Sequence, residues 1–508
     1  METQPDKSEE RKRRIINWLK QPTNLALIAI LILALVLRAN YFVITENQPL
    51  WWDEAAYGSL AKNLVHHRWD NTTAIIGETH IRPPLLPYFW SIIINLGLGE
   101  PSARFILEFI PSILSVFFVF LIGKELYNKN VGLIAAFILS VLWIHLFYTA
   151  RLMTDIPTLF FLFSSIYYFI KSQNEEFNPK YFAISLFLLS ISTLIRYQSG
   201  LLLFVYLLFL ILTFRRDLLK LPKFYLSGIT GVIPLLIFFV YNKAKYGNIF
   251  PALLSGDYVT GAEATKPFAF NLLNYIPIYL ETTFFVLFII GAAIAIFELI
   301  LGFDMIKKKK NLKSHLLAFL IPLVFYSYFI FYLRAAEDRY FFPMSLSLGV
   351  FIGIGITFVY KFIKRYSKNL AFVLILSILL FGAYNQIIFA DSLIKNKKQS
   401  FLQSKQGFEW IKGNTPEDSI TLGSGIEVYS LYYAERYTLR LPEGDNVTIN
   451  EIDAISADYL VAHAFATPPS YFGSYLQNNP DKWQPVHVVF FDSAQTQPAL
   501  IVYKKSNS

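Results

Sequence analysis

The sequence predicts an α-helical, polytopic membrane protein of about eleven spans, followed by a small extracytoplasmic α/β domain. Three observations predict it. The 508 residues are 55% hydrophobic and only 16% charged, with a mean hydropathy of +0.44, whereas soluble domains run at about 45–50% apolar and about 25% charged. The apolar excess falls in runs near the ~20 residues that a helix needs to cross a bilayer. The third is a change at about residue 391, where long apolar runs give way to short alternating ones.

Taken in order, the spans are expected at Thr23–Val43, Ser102–Ile122, Val131–Phe147, Thr154–Ile170, Tyr181–Leu194, Tyr197–Leu212, Phe224–Tyr241, Thr282–Leu301, Leu316–Phe331, Tyr340–Phe358 and Leu370–Ile388. Alternate connections carry Arg11–Arg14, Lys124 with Lys129, Lys171 with Lys180, Arg215 with Arg216, Lys307–Lys310, and Lys361 with Lys364 and Arg365. With eleven spans all of these fall on one side, which the positive-inside rule makes cytoplasmic. Counting Leu85–Leu98 as a twelfth span breaks the alternation, so that stretch is expected to be re-entrant or interfacial. The charged residues 1–22 read as a cytoplasmic tail and the first span as a retained signal anchor.

The net charge of +9 resides in these topology-setting clusters and forms no basic, aromatic-interleaved stripe, so nucleic acid is not a partner. Cysteine is absent, which excludes disulfides, thiolate metal sites and cysteine nucleophiles. The expected domains are the tail 1–22, a membrane domain 23–390 with outer loops 44–101 and 242–281, and an extracytoplasmic domain 391–508. In that last domain SITLG, DYLVAH and VHVVFF read as strands and FLQSKQGFEWIK as a helix. The sequons at Asn71 and Asn446 fall outside in this topology.

Ionisable groups at membrane depth cost a few kcal/mol each, so they mark sites or compensated pairs. Here they gather at the outer ends of spans. WWDEAAYGSLAKNL follows the first span and suits an amphipathic helix along the membrane surface; Asp53 and Glu54 either cap it or carry chemistry. In GETHIRPPLLPYFW, Arg82 precedes a Pro-Pro pair that forces an extended or turned backbone before an apolar helix. It binds a phosphate there or snorkels to lipid headgroups. His66, His67, His80 and Glu78 offer ligands for a divalent metal, without a fixed ligand spacing. Arg151 and Asp155 are four apart and would share a helical face, as an ion pair or as substrate contacts. Arg196 sits in a tight turn with no acidic neighbour, and Glu337, Asp338, Arg339 and Tyr340 stand at the mouth of the tenth span.

This set of residues suits a polyprenyl phosphosugar, which has an apolar tail, one anionic phosphate and a polar sugar. Arginine binds phosphate through a planar two-donor fork. Sugar transfer to a hydroxyl needs a carboxylate base, and cations stabilise the departing phosphate. A single-phosphate leaving group requires no metal and no cofactor.

Trp52-Asp53-Glu54 with Tyr57, then Arg82-Pro83-Pro84, then the run from Pro101 to Leu139 and Asp155 resemble the GT-C glycosyltransferases, in the protein O-mannosyltransferase and aminoarabinose transferase branch. The resemblance spans about Asn24 to Pro343 and is most specific over Trp51–Asp155. It implies Asp53 as the base at the acceptor, Glu54 shaping the same site and Asp155 as a second acid. It implies Arg82, Arg196 and the pair Arg339-Tyr340 near the donor phosphate. Arg151 and His80 stand beside these as candidate supporting residues, and Glu78 and His80 match no pattern of the family. It further implies inversion at the anomeric carbon, a dolichyl or undecaprenyl phosphate donor, a lipid, glycan or protein acceptor, and action on the outer face. An oligosaccharyltransferase carries its tryptophan-rich acidic motif in a large C-terminal domain, whereas Trp51-Trp52-Asp53 lies near the N-terminus. A transporter or flippase of lipid-linked or small anionic substrates would show matched halves and midplane charges, and neither is visible here. The tail reads as a packing domain, and loop 242–281 as a mobile cover over the donor.

Overall fold

The computed structural model describes residues 16–66, 82–173, 176–213, 218, 220–249, 266–442, 447, 449–465 and 467–506. Outside them lie Arg11–Arg14, His67, Glu78, His80, Arg215 and Arg216. So do the sequon at Asn71, the residues Asn446 and Thr448 of the second, and residues 250–265 of the loop proposed as a cover. The chain divides into two compact units. The first holds residues 1–44, 104–150 and 154–395; the second holds 45–103, 151–153 and 396–508.

Every apolar run expected to span is helical. The helices are Pro22–Thr45, Ile110–Leu126, Asp155–Ser172, Pro179–Ile195, Leu201–Leu212, Tyr275–Gly302, Lys310–Ser327, Ser345–Lys364 and Lys368–Lys397. Two bent pairs, Lys129–Val141 with Trp143–Thr149 and Pro222–Gly231 with Ile233–Tyr246, complete the set. By length and composition six helical stretches of the described residues suffice to cross a membrane, eight with the bent pairs. Asp155–Ser172, Pro179–Ile195 and Tyr197–Leu212 fall outside that set, so eleven helical runs do not by themselves make eleven crossings.

The break at Leu142 shows how the first unit meets the backbone demands of an apolar medium, where each freed polar group needs a partner. Leu142 is extended at φ −58°, ψ 119°. The released Trp143 N–H donates to Gln386 Oε1 at 2.9 Å, and Gln386 Nε2 donates to the Tyr279 carbonyl at 2.8 Å. On the other side of the break the carbonyls of Leu139 and Ser140 lose their helical donors. Arg38, 1% exposed within the first helix, fills that role, donating to Ser140 O at 3.0 Å and Leu139 O at 3.5 Å. Its guanidinium also donates to Ser112 Oγ at 2.5 Å and meets His145 Nδ1 at 2.8 Å. A cation at helix C-terminal carbonyls is favourably placed. Elsewhere, Tyr275–Gly302 and Ser345–Lys364 cross closely enough that a Cβ on Gly291 would lie 1.8 Å from the Phe351 carbonyl oxygen.

The second unit joins the first long loop to the tail. Its sheet contains β1 (Ile420–Gly423), β2 (Tyr437–Arg440), β3 (Tyr459–His463), β4 (Trp483–Phe490) and β5 (Pro498–Lys505) in the order β2-β1-β3-β5-β4. β1 pairs parallel to β2 and β3, while β5 runs antiparallel to β3 and β4. The strands expected at SITLG, DYLVAH and VHVVFF are therefore observed, as is the helix, at Leu402–Asn414. The core beneath includes Leu422, Leu460, Phe472 and Trp483.

One expectation is corrected here. The helix that starts at Trp52 is not a surface helix, because Glu54 through Ala61 are all buried. Gly58 packs so closely that a Cβ there would lie 2.5 Å from the Tyr432 ring and 2.8 Å from Trp90. Ser59 Oγ donates to the Val428 carbonyl at 3.2 Å, and the Leu50 N–H donates to Tyr433 Oη at 2.8 Å. The tail residues around Tyr429–Ala434 thus supply the cover that a periodicity argument assigns to lipid.

Candidate functional site

The acidic pair separates into two unlike residues. Trp52–His66 begins at Trp52, so Glu54 stands at the third helical position and reaches back to accept the Trp51 N–H at 2.6 Å, as in a capping box. Its other oxygen accepts the Leu152 N–H at 2.5 Å, and Arg151 Nη1 lies 3.4 Å away. Glu54 and Arg151 are 0% and 1% exposed at the side chain. Arg151 is held in turn by the Pro49 and Lys397 carbonyls at 3.3 and 3.0 Å, with its guanidinium 4.0 Å from the Trp51 ring centre. Glu54 and Arg151 together thus tie residues 49–54, 151–152 and Lys397 to one another.

Asp53 is different. Its side chain is 30% exposed and lies 3.5 Å from Arg82 Nη1. Pro84 ends the turn that presents Arg82, because Leu85–Asn95 starts directly after it. The Arg82 guanidinium also lies 5.4 Å from the Trp52 ring and 5.1 Å from the Tyr57 ring, within reach of cation–π attraction. Tyr429, from the tail, belongs to this surrounding, since burial and then the charge of Glu54 push its phenol up.

The expected Arg151 and Asp155 helical spacing does not exist, since residues 151–154 are not helical and the helix begins at Asp155. Asp155 forms an ion pair with Arg196, whose backbone is extended at φ −151° between two helices. Arg196, Asp155 and Arg339 line one cleft with Thr158, Gln198 and the ring of Phe329. Its volume is about 10 Å³, room for one water. Arg339 Nε donates to Glu337 Oε2 at 2.5 Å. Tyr340 is buried, donates to Glu337 Oε1 at 3.1 Å and stacks on Phe329 with ring centres 4.3 Å apart.

Tyr148 is a residue that sequence reasoning overlooks. Its hydroxyl donates to Asp338 Oδ1 at 2.7 Å, and the same oxygen accepts the Arg339 N–H at 2.7 Å. The signal was a tyrosine at the far end of the broken helix, and nothing local ties it to Asp338. Among the described residues no group of three or more His, Asp or Glu could hold a metal ion; the candidate ligands Glu78 and His80 lie outside those residues.

Residues 81–241 match the family described as dolichyl-phosphate-mannose-protein mannosyltransferase. A search of curated protein sequences gave no match. Among solved structures, the Archaeoglobus fulgidus oligosaccharyltransferase tethered to an acceptor peptide is 14% identical, with 97% of this chain and 75% of that one covered at a TM-score of 0.64. The oligosaccharyltransferase AglB from Archaeoglobus fulgidus in complex with an inhibitory peptide and a dolichol-phosphate matches at 14% identity, 88% and 70% coverage and a TM-score of 0.63. ArnT from Cupriavidus metallidurans bound to undecaprenyl phosphate is 13% identical, with 94% and 97% covered and a TM-score of 0.62. Residues 81–241 thus resemble that mannosyltransferase family. The fold of the chain is the one it shares with these solved structures, a helical membrane domain with a small C-terminal sheet. At these identities the likeness is one of fold, and the oligosaccharyltransferase disfavoured on motif position shares it.

Proposed function

We propose that this chain is a GT-C glycosyltransferase that moves a sugar from a polyprenyl phosphate donor to a hydroxyl acceptor on the extracytoplasmic face, with Asp53 as general base. The observation that carries the reading is the division within the acidic pair. Glu54 is fully buried and saturated by Trp51, Leu152 and Arg151, whereas Asp53 is part-exposed beside Arg82. In the proposed reaction Asp53 takes the proton of the acceptor hydroxyl as its oxygen attacks the anomeric carbon. The bond from that carbon to the phosphate oxygen breaks, and its electron pair leaves with the polyprenyl phosphate. Arg82, 3.5 Å from Asp53, is the cation proposed to stabilise the negative charge of the reaction.

The cleft with Arg196 and Arg339 is the proposed seat of the donor phosphate. Two guanidiniums there suit an anion, and the phenylalanine walls suit a prenyl chain. The cleft is closed around the Arg196 and Asp155 pair, so donor entry exchanges that carboxylate for phosphate. Glu54, Arg151, Asp338 and Tyr148 act as positioning residues. A named polyprenyl phosphate in complexes of two proteins of this fold supports the donor class.

The test is transfer of radiolabelled sugar from polyprenyl phosphosugar by purified protein, with Asp53→Asn and Arg339→Ala beside the wild type. Loss of turnover in Asp53→Asn with retained donor binding supports the assignment. Full activity in Asp53→Asn overturns it.

A further inference from the structure

A buried amide is out of character on the helix Lys368–Lys397. The other residues buried there are Ala371, Gly382, Ala383, Ala390 and Ile394, whereas Gln386 is polar and 0% exposed. Both ends of a buried amide need partners, and Gln386 finds them at interruptions in two different helices. Its Oε1 accepts the Trp143 N–H just past the break at Leu142, at 2.9 Å, and its Nε2 donates to the Tyr279 carbonyl at 2.8 Å.

Tyr279 stands just before a second break. Within Tyr275–Gly302, Glu281 has φ 51° and ψ 164°, a conformation that residues other than glycine hold only where their surroundings enforce it. Carbonyls in the turn before an interruption take donors from outside their own helix. Tyr279 takes the Gln386 amide, and Ile278 takes the Trp143 indole N–H at 3.2 Å. The rings of Trp143 and Tyr279 stack, 5.5 Å apart and 16° from parallel. One break offers an N–H and the other a carbonyl, so a single side chain that both accepts and donates joins them. Among uncharged side chains of this length only glutamine does so.

Both interrupted segments lead to the same stretch. Past Leu142 the short helix carries the Tyr148 hydroxyl to Asp338 at 2.7 Å. On the other side the Tyr279 ring lies 4.3 Å from that of Phe341. Asp338 and Phe341 both belong to Asp338–Met344, the stretch that carries Arg339.

We propose that Gln386 is a positioning residue for the donor cleft: by joining the two breaks it sets the place of Asp338–Met344 and so of the Arg339 guanidinium. This role rests on the assignment of the Arg196 and Arg339 cleft to the donor phosphate, and Gln386 itself touches no donor group.

The experiment is saturation binding of radiolabelled undecaprenyl phosphate to purified full-length protein in detergent, which gives a Kd and a number of sites. Gln386→Met keeps the length of the side chain and removes both bonds. It raises Kd by roughly 5–30-fold at an unchanged number of sites, whereas a loss of folded protein alone lowers the number of sites and leaves Kd in place. Gln386→Glu, kept protonated by its apolar surroundings, still accepts and donates, and retains the wild-type Kd. Tyr148→Phe raises Kd over the same range and carries the test if Gln386→Met does not fold; the double variant raises it by less than the product of the two. Amide hydrogen exchange over residues 143–148 speeds up in Gln386→Met. An unchanged Kd in Gln386→Met or Tyr148→Phe, or a Gln386→Glu protein that binds no better than Gln386→Met, overturns the proposal. Arg339→Ala separates the two levels. If it weakens binding and Gln386→Met does not, the positioning role falls alone. If Arg339→Ala has no effect, or the wild type does not bind, the donor cleft falls and the positioning role with it.

Discussion

Glu54→Gln and Asp53→Asn, neighbours in sequence, should fail in opposite ways. In Glu54→Gln the Arg151 guanidinium loses its buried carboxylate while both remain at or below 1% exposure. Breaking one partner of a buried ion pair costs about 3–5 kcal/mol, because the remaining charge is stranded. Gln keeps one carbonyl oxygen, so only one of the Trp51 and Leu152 N–H groups retains its acceptor while the other faces the amide NH2, and the whole of that range applies. That corresponds to a fall of roughly 6–20 °C in the unfolding midpoint. Asp53→Asn removes a part-exposed pair at 3.5 Å, worth about 0–1 kcal/mol, so its midpoint should move by no more than ~4 °C. Its turnover should fall by ~10²–10⁴ as the base is lost. The assay is differential scanning fluorimetry in detergent beside sugar transfer under saturating donor, the residual Glu54→Gln rate being expressed per folded molecule. A stable Glu54→Gln protein, or an Asp53→Asn protein lost to unfolding, would refute the division of roles argued from burial.

Three further outcomes follow from other parts of the chain. Burial opposes ionisation of Glu435, yet Lys412 and Lys62 pull it down to about 2 from the usual 4.5; this depressed carboxylate stabilises the second unit above pH 4.5 and loses that contribution as pH falls toward 2. Acid unfolding followed by tryptophan fluorescence should therefore shift to higher pH in Lys412→Ala. Arg339→Ala should raise the KM for polyprenyl phosphate donor by ~10–100-fold through loss of a charge-assisted hydrogen bond, with steady-state kinetics as the check; an unchanged KM removes Arg339 from the donor site. Gly291→Ala puts a Cβ 1.8 Å from a backbone oxygen. It should cost about 1–3 kcal/mol by overpacking, read as a lower monodisperse fraction in size-exclusion chromatography.

How much of this was legible in the sequence depends on the range of the interaction concerned. The apolar runs were readable because burial in lipid is written into composition, and the tail strands because alternation is local. The Arg151 and Asp155 pair was misread through the boundary of one helix. Pro157, in the first turn of Asp155–Ser172, marked the start and placed Arg151 before it. Glu54 as a reach-back cap was also readable, being three residues after the N-cap Trp51, but its saturation by Leu152 and Arg151 was not. Those donors lie about a hundred residues away, and sequence spacing carries no trace of them.

Arg38 makes the same point from the opposite direction. It sits in the first apolar run, where a lone guanidinium reads as a liability, and it was passed over among the charges considered. Its partners exist because the helix Lys129–Val141 stops at Leu142 and leaves the Leu139 and Ser140 carbonyls without donors. That break has no proline or glycine to announce it; Gln386, from a helix far along the chain, stabilises it by accepting the Trp143 N–H. The broken segment then carries Tyr148 to Asp338 and so fixes the backbone of Arg339. The charge in the first span, the break and the arginine at the candidate donor cleft are thus steps in one chain of hydrogen bonds and packing. A reading confined to motifs finds its end, Arg339, but not the elements that hold it there.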